Sequence, residues 1–96
     1  MTFDADLLDR LADTKTRGWL AVHETRPKDF LTINDELHDL CEQFRRRYFP
    51  KAREVFVICD RRIGQPLSVY RRTPTGRPVC VYDEEAPVSV ARGRMG

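Results

Sequence analysis

Apolar side chains recur along this chain first with a helical period and then, beyond residue 50, with a two-residue one. Phe3, Leu7, Leu8 and Leu11 fall on one helical stripe, with Asp4 and Asp6 where the positive end of a helix dipole favours acids. Lys15, Arg17 and Gly18 close that segment, so the pattern predicts a first helix over residues 3–16. Trp19 to His23 alternates and reads as a short strand, ended by a loop at Arg26-Pro27-Lys28-Asp29. Ile33, Leu37, Leu40, Cys41, Phe44 and Tyr48 fall within an arc of about 100° and define a second helix. Thr32 and Asp35 supply a capping box at its start, Pro50 its stop, and Glu42 with Arg46 an i,i+4 pair on its polar face.

Val55-Phe56-Val57-Ile58-Cys59 is apolar on both faces, which predicts an interior strand over Glu54 to Asp60 at the centre of the core. Leu67 to Arg72 and Val79 to Asp83 alternate around Thr73-Pro74-Thr75-Gly76, a sequence suited to a type I turn, and so predict a hairpin. Ala86 to Val90 is expected to add an edge strand, followed by a mobile basic tail over residues 91–96. The resulting order is α-β-α-β-β-β: an α+β class in which about four largely antiparallel strands, with Val55 to Cys59 near the middle, carry both helices on one face. Residues 1–85 form the single α+β domain of this reading, and residues 86–96 the edge strand and tail.

Composition supports a folded chain: 96 residues, 41% hydrophobic and 33% charged, leave room for one core and do not resemble disorder. A domain this small buries only about 60–65% of its unfolded surface, so a partner or a second copy of itself is expected to add stability. The start, Met1 to Asp6, is acidic and lacks the basic flank and apolar stretch of a signal peptide, and no apolar run approaches a membrane span. A cytoplasmic protein without membrane contact is the expectation. Cys41, Cys59 and Cys80 are odd in number, widely spaced and set among apolar residues, which predicts reduced core thiols.

The net charge of +2 conceals an uneven distribution: residues 1–44 sum to −5 and residues 45–96 to +7. A four-residue turn at the hairpin places Arg72 opposite Arg77, with Arg71 beside them, and like charges facing each other across a ladder call for a compensating anion. Arg71, Arg72 and Arg77, joined by Arg61 and Arg62, are therefore the candidate partner- or anion-binding residues. Arg45-Arg46-Arg47 makes a poorer patch, because the helical wheel sends the three side chains to different sides and cations in a last turn already serve the helix dipole. Trp19 is expected in the core.

Other chemistry finds little footing. His38, Cys41, Cys59 and Cys80 lack the close cysteine spacing of a zinc site, so neither a metal nor another cofactor is expected. His23-Glu24 and Asp60 stand at predicted strand ends but nothing in the sequence joins them, and the chain holds no phosphate-cradling glycine loop or nucleophile elbow. A non-enzymatic role follows. The sequence thus predicts a small regulatory or accessory protein, of the compact kind that mobile elements encode, acting on a larger protein partner. The alternative is a nucleic-acid binder whose hairpin tip and basic half, tail residues Arg92 and Arg94 included, contact phosphates. Interleaved charges in three dimensions favour the first reading; a contiguous basic face favours the second.

Overall fold

The computed structural model describes residues 2–24 and 26–85. Asp4 starts the first helix, α1 (Ala5–His23), its carboxylate accepting from the amides of Asp6 and Leu7 at 2.9 and 3.3 Å. The second helix, α2 (Pro27–Tyr48), opens on a proline whose missing N–H costs nothing at that position, and closes where the Phe49 amide bonds the Arg45 carbonyl ahead of Pro50. Three strands follow, β1 (Glu54–Asp60), β2 (Gln65–Arg72) and β3 (Pro78–Asp83), with a 3₁₀ turn at Arg61–Ile63 between the first two. All pairings are antiparallel and the sheet order is β1-β2-β3. The class is α+β, as expected, with three strands among the described residues against the expected four; the further edge strand expected at Ala86 to Val90 and the tail lie outside them.

The core joins Leu7, Leu8, Leu11 and Ala12 of α1 to Leu40, Cys41 and Phe44 of α2, and both to Val55, Val57 and Cys59 of β1 and Leu67 and Val69 of β2. These strand residues alternate, so both helices lie on one face of the sheet, as expected. Phe3 adds an aromatic cluster at one end, its ring 5.0 Å from that of Phe44, 4.8 Å from Tyr48 and 6.1 Å from both Phe49 and Tyr82.

Several expectations need correction. No strand forms at Trp19–His23; α1 runs through Gly18 and takes up those residues, while the helices-then-strands order of the other elements stands. The physical reason is an inward stripe that continues through buried Thr14, half-buried Gly18 and buried Ala21, three or four residues apart, in side chains too small to register as hydrophobic periodicity. α2 begins five residues before Thr32, so Thr32 and Asp35 are exposed interior positions and not a capping box; the cap residue, Arg26, makes no side-chain hydrogen bond. On that helix Glu42 pairs with Arg45, at 3.0 Å, instead of Arg46. Among the described residues β1 is an edge strand and β2 the central one.

The hairpin also differs in register. Its loop spans five residues, 73–77, because the Thr73 amide bonds the Arg77 carbonyl at 2.9 Å and the Arg77 amide bonds Thr73 Oγ1 at 3.1 Å. Gly76 supplies the left-handed conformation, with φ 94°, that a loop of this length needs. Arg72 consequently faces Pro78, and the expected Arg72–Arg77 opposition does not exist.

Candidate functional site

The five arginines singled out from the sequence do not converge. Arg61 and Arg62 lie on the 3₁₀ turn at one end of β2, and Arg71, Arg72 and Arg77 at the hairpin end, with residues 65–70 of β2, roughly 20 Å, between them. Arg61 bridges Asp9 at 3.4 Å and Glu84 at 3.3 Å. Arg62 pairs with Asp60 at 3.4 Å and lays its guanidinium 3.8 Å from the centre of the Trp19 ring. Arg72 pairs with Glu54 at 2.8 Å and also donates to the Gly76 carbonyl. Arg71 and Arg72 point to opposite faces of the sheet, the first over Phe49 at 5.7 Å, the second over Phe56 at 4.7 Å. Arg77 is exposed, and its guanidinium has no carboxylate partner among the described residues.

Acidic and basic side chains therefore interleave over most of the molecule. Arg17 holds Glu36 at 2.7 Å and Asp13 at 3.0 Å, and Arg47 holds Asp4 at 2.9 Å. These bonds depress the carboxyls: Asp4, Glu36 and Glu42 all titrate below their ordinary range, chiefly because Arg47, Arg17 and Arg45 donate to them. Four cations without a carboxylate partner among the described residues, Lys51, Arg53, Arg71 and Arg77, lie at the hairpin end. Sequence spacing could not show that the α2–β1 connection meets the hairpin there.

Trp19 is half-buried and outside the core. It stacks on His23 with ring centres 3.9 Å apart and lines a shallow cavity of about 200 Å³ between the helices, with Lys15, Val22, Phe30 and Leu37. Asp60, 5% exposed, accepts from the Arg62 amide at 3.1 Å and so caps the 3₁₀ turn. Cys41 and Cys59 are buried, and burial raises both thiols, that of Cys41 to about 12. Cys80 corrects the expectation of three core thiols: it is exposed, on the sheet face turned away from the helices, where it pairs with Tyr70.

That face is the feature sequence reasoning located least well. Phe56 and Tyr70 are cross-strand neighbours whose rings stack 5.2 Å apart at 9°, and Ile58 beside them is 44% exposed. Arg72 and Glu54 close the patch on the hairpin side. Both described helices pack on the other face, so these apolar side chains have no layer over them among the described residues. The apolar run in β1 was a usable signal, because a strand apolar on both faces needs two covers and the pattern supplies helices for one.

No described helix is long and apolar enough to cross a membrane. Compared with protein-family models, curated proteins and solved structures, the chain matches none, so a functional reading rests on its own geometry.

Proposed function

We propose that this chain is a small non-enzymatic regulatory or accessory protein of the cytoplasm that acts by binding a larger protein partner. The supporting observation is the open sheet face: Phe56, Tyr70 and Ile58 form an apolar centre, edged by the Arg72–Glu54 pair. Aromatic side chains and arginine around a desolvating apolar centre are what protein interfaces concentrate, and such a face gains by being covered. The cations at the hairpin end add a positive border, which suits a partner with an acidic rim.

Nucleic-acid binding is the second reading, and Lys51, Arg53, Arg71 and Arg77 at one end are the observation in its favour. It is the weaker one because Arg61, Arg62 and Arg72 already hold carboxylates of the same chain. Tagged wild-type protein and an Ile58→Glu variant decide between them. Ile58 is exposed enough for the variant to keep its stability within about 0.5 kcal/mol. The protein reading expects a co-purifying partner that the folded variant loses. Steeply salt-dependent anisotropy with DNA or RNA, over roughly 50–200 mM salt and untouched by the variant, transfers the assignment to nucleic acid.

A further inference from the structure

Two loops meet at the hairpin end, and both are held from within. In the α2–β1 connection the Ala52 amide bonds the Phe49 carbonyl at 2.9 Å, while Arg45 donates to the Pro50 and Ala52 carbonyls at 3.2 and 3.4 Å. In the hairpin loop the Gly76 amide bonds the Thr73 carbonyl at 2.8 Å, and Arg72 donates to the Gly76 carbonyl at 3.2 Å. The Arg53 amide joins the two by bonding the Arg72 carbonyl at 2.9 Å, and the Arg53 guanidinium lies against Gly76. Side chains carried here stand on a fixed backbone, which lowers the cost of ordering them on a ligand.

Charge at this end is unbalanced. The carboxylates that share a pocket with Arg53, those of Glu42 and Glu54, are held by Arg45 at 3.0 Å and by Arg72 at 2.8 Å. Lys51, Arg53 and Arg77, all exposed, and half-buried Arg71 remain without a carboxylate partner among the described residues. An anion is attracted by all four, and none has to give up an internal ion pair to meet it. The surface between two of them is apolar: Lys51 and Arg71 flank a shallow notch of about 270 Å³ walled by Phe49, Pro50, Ala52 and Pro74. A peptide can seat an apolar side chain there while acidic residues on either side of it reach the cations. An oligonucleotide fits less well. Phosphates leave the notch empty, and the Phe49 ring, with Arg71 over it at 5.7 Å and Phe3 and Phe44 at 6.1 and 6.2 Å, is no bare platform for a base to stack on.

We infer that the hairpin end is the docking site for an acidic segment of a partner protein, in which an apolar side chain sits between glutamates or aspartates. This rests on the protein-binding reading and specifies its chemistry. The test uses the full chain, ¹⁵N-labelled, at about 50 mM salt, where surface charges are weakly screened. The probes are two end-blocked peptides, Glu-Glu-Leu-Glu-Glu and Glu-Glu-Ser-Glu-Glu, and pentathymidylate, which carries the same four negative charges. The leucine peptide is expected to shift the amide resonances of residues 51–53 and 71–77 and to leave Ile58 in place. It should bind at least about fivefold more tightly than the serine peptide, through burial of the leucine in the notch. Lys51→Glu combined with Arg77→Glu, both at exposed positions, should weaken it at least about tenfold, the variant's fold being checked by its unshifted core resonances. Silence of these amides up to the solubility limit, equal binding of the two peptides, or undiminished binding by the folded variant overturns the inference. Tighter binding of pentathymidylate at the same amides overturns it in favour of nucleic acid. If the peptides fail while Ile58→Glu still abolishes partner capture, acidic docking falls and the protein-binding reading stands. If the leucine peptide binds as expected while Ile58→Glu captures its partner normally, the hairpin end stands and the open face loses its role.

Discussion

At the scale of single residues the chain holds three thiols in three environments. Cys41 lies among Leu40, Phe44 and the β1 side chains, and its thiol, raised to about 12, stays protonated at neutral pH. Cys59 is also buried, its sulfur donating to the Gln65 carbonyl at 3.6 Å. Only Cys80 presents its sulfur to solvent. Since the thiolate is the reacting species and reagent must reach it, native protein is expected to take up one equivalent of maleimide rapidly, at Cys80, and the remaining two only in denaturant. Mass spectrometry of the labelled peptides checks this; rapid native labelling of Cys41 would contradict the core described here. The sequence reading placed Cys41 and Cys59 correctly in the core and missed the exposure of Cys80, which also has apolar neighbours, because a strand's alternation decides exposure only once it is known which face is covered.

Elements show how small side chains mislead a reading by hydrophobicity. Gly18, seen as a helix terminator, lies inside α1 at its approach to α2, and a β-carbon built there would stand 3.5 Å from Ile33 Cγ2, an ordinary contact distance. Gly18→Ala should therefore fit without strain and stabilise the protein by about 0.5–1 kcal/mol, through lost backbone freedom in the unfolded chain. Urea unfolding measures it; destabilisation would mean that the helices cannot accommodate even a methyl group. The two helices are further joined by the buried Thr14 hydroxyl, which lies 3.1 Å from Glu36, and by Arg17, which reaches the same carboxylate. The two-residue period of β1 and the hairpin, by contrast, was legible, because alternating large apolar residues have few other uses.

For the whole molecule, the distribution of ion pairs sets the response to acid. Asp4 caps α1, accepts from Arg47, and has its amide bonded to the Tyr48 hydroxyl at 2.8 Å, so one residue ties the start of the chain to the end of α2. Because Asp4, Glu36 and Glu42 are depressed in the folded state, the unfolded chain takes up protons first as pH falls. Their stabilisation is complete above the ordinary carboxylate range, about pH 4 to 5, and is lost as pH drops through the lower folded values. The melting temperature should hold from pH 7 to about 5 and then decline. Asp4→Asn keeps a capping side chain but removes the charge, so it should lower the melting temperature at pH 7 and make the decline shallower. An unchanged acid profile would show that the Asp4–Arg47 bond contributes nothing in solution.

The sequence by itself determined the α+β class, the two amphipathic helices, β1 and the hairpin, since each follows from periodicity in large side chains over a short stretch. It also placed the cations Arg45 to Arg47 in the last turn of α2, where the helix dipole favours them, a local electrostatic matter. Tertiary structure alone decided the rest. The length of α1 depended on Ile33 being across from Gly18, the place of β1 on which side of it β2 pairs, and the register of the hairpin on a hydrogen bond between Thr73 and Arg77. The arginines were separated for the same reason: an ion pair such as Arg61 with Asp9 spans 52 positions, and proximity over that distance is a property of packing, which no local pattern encodes.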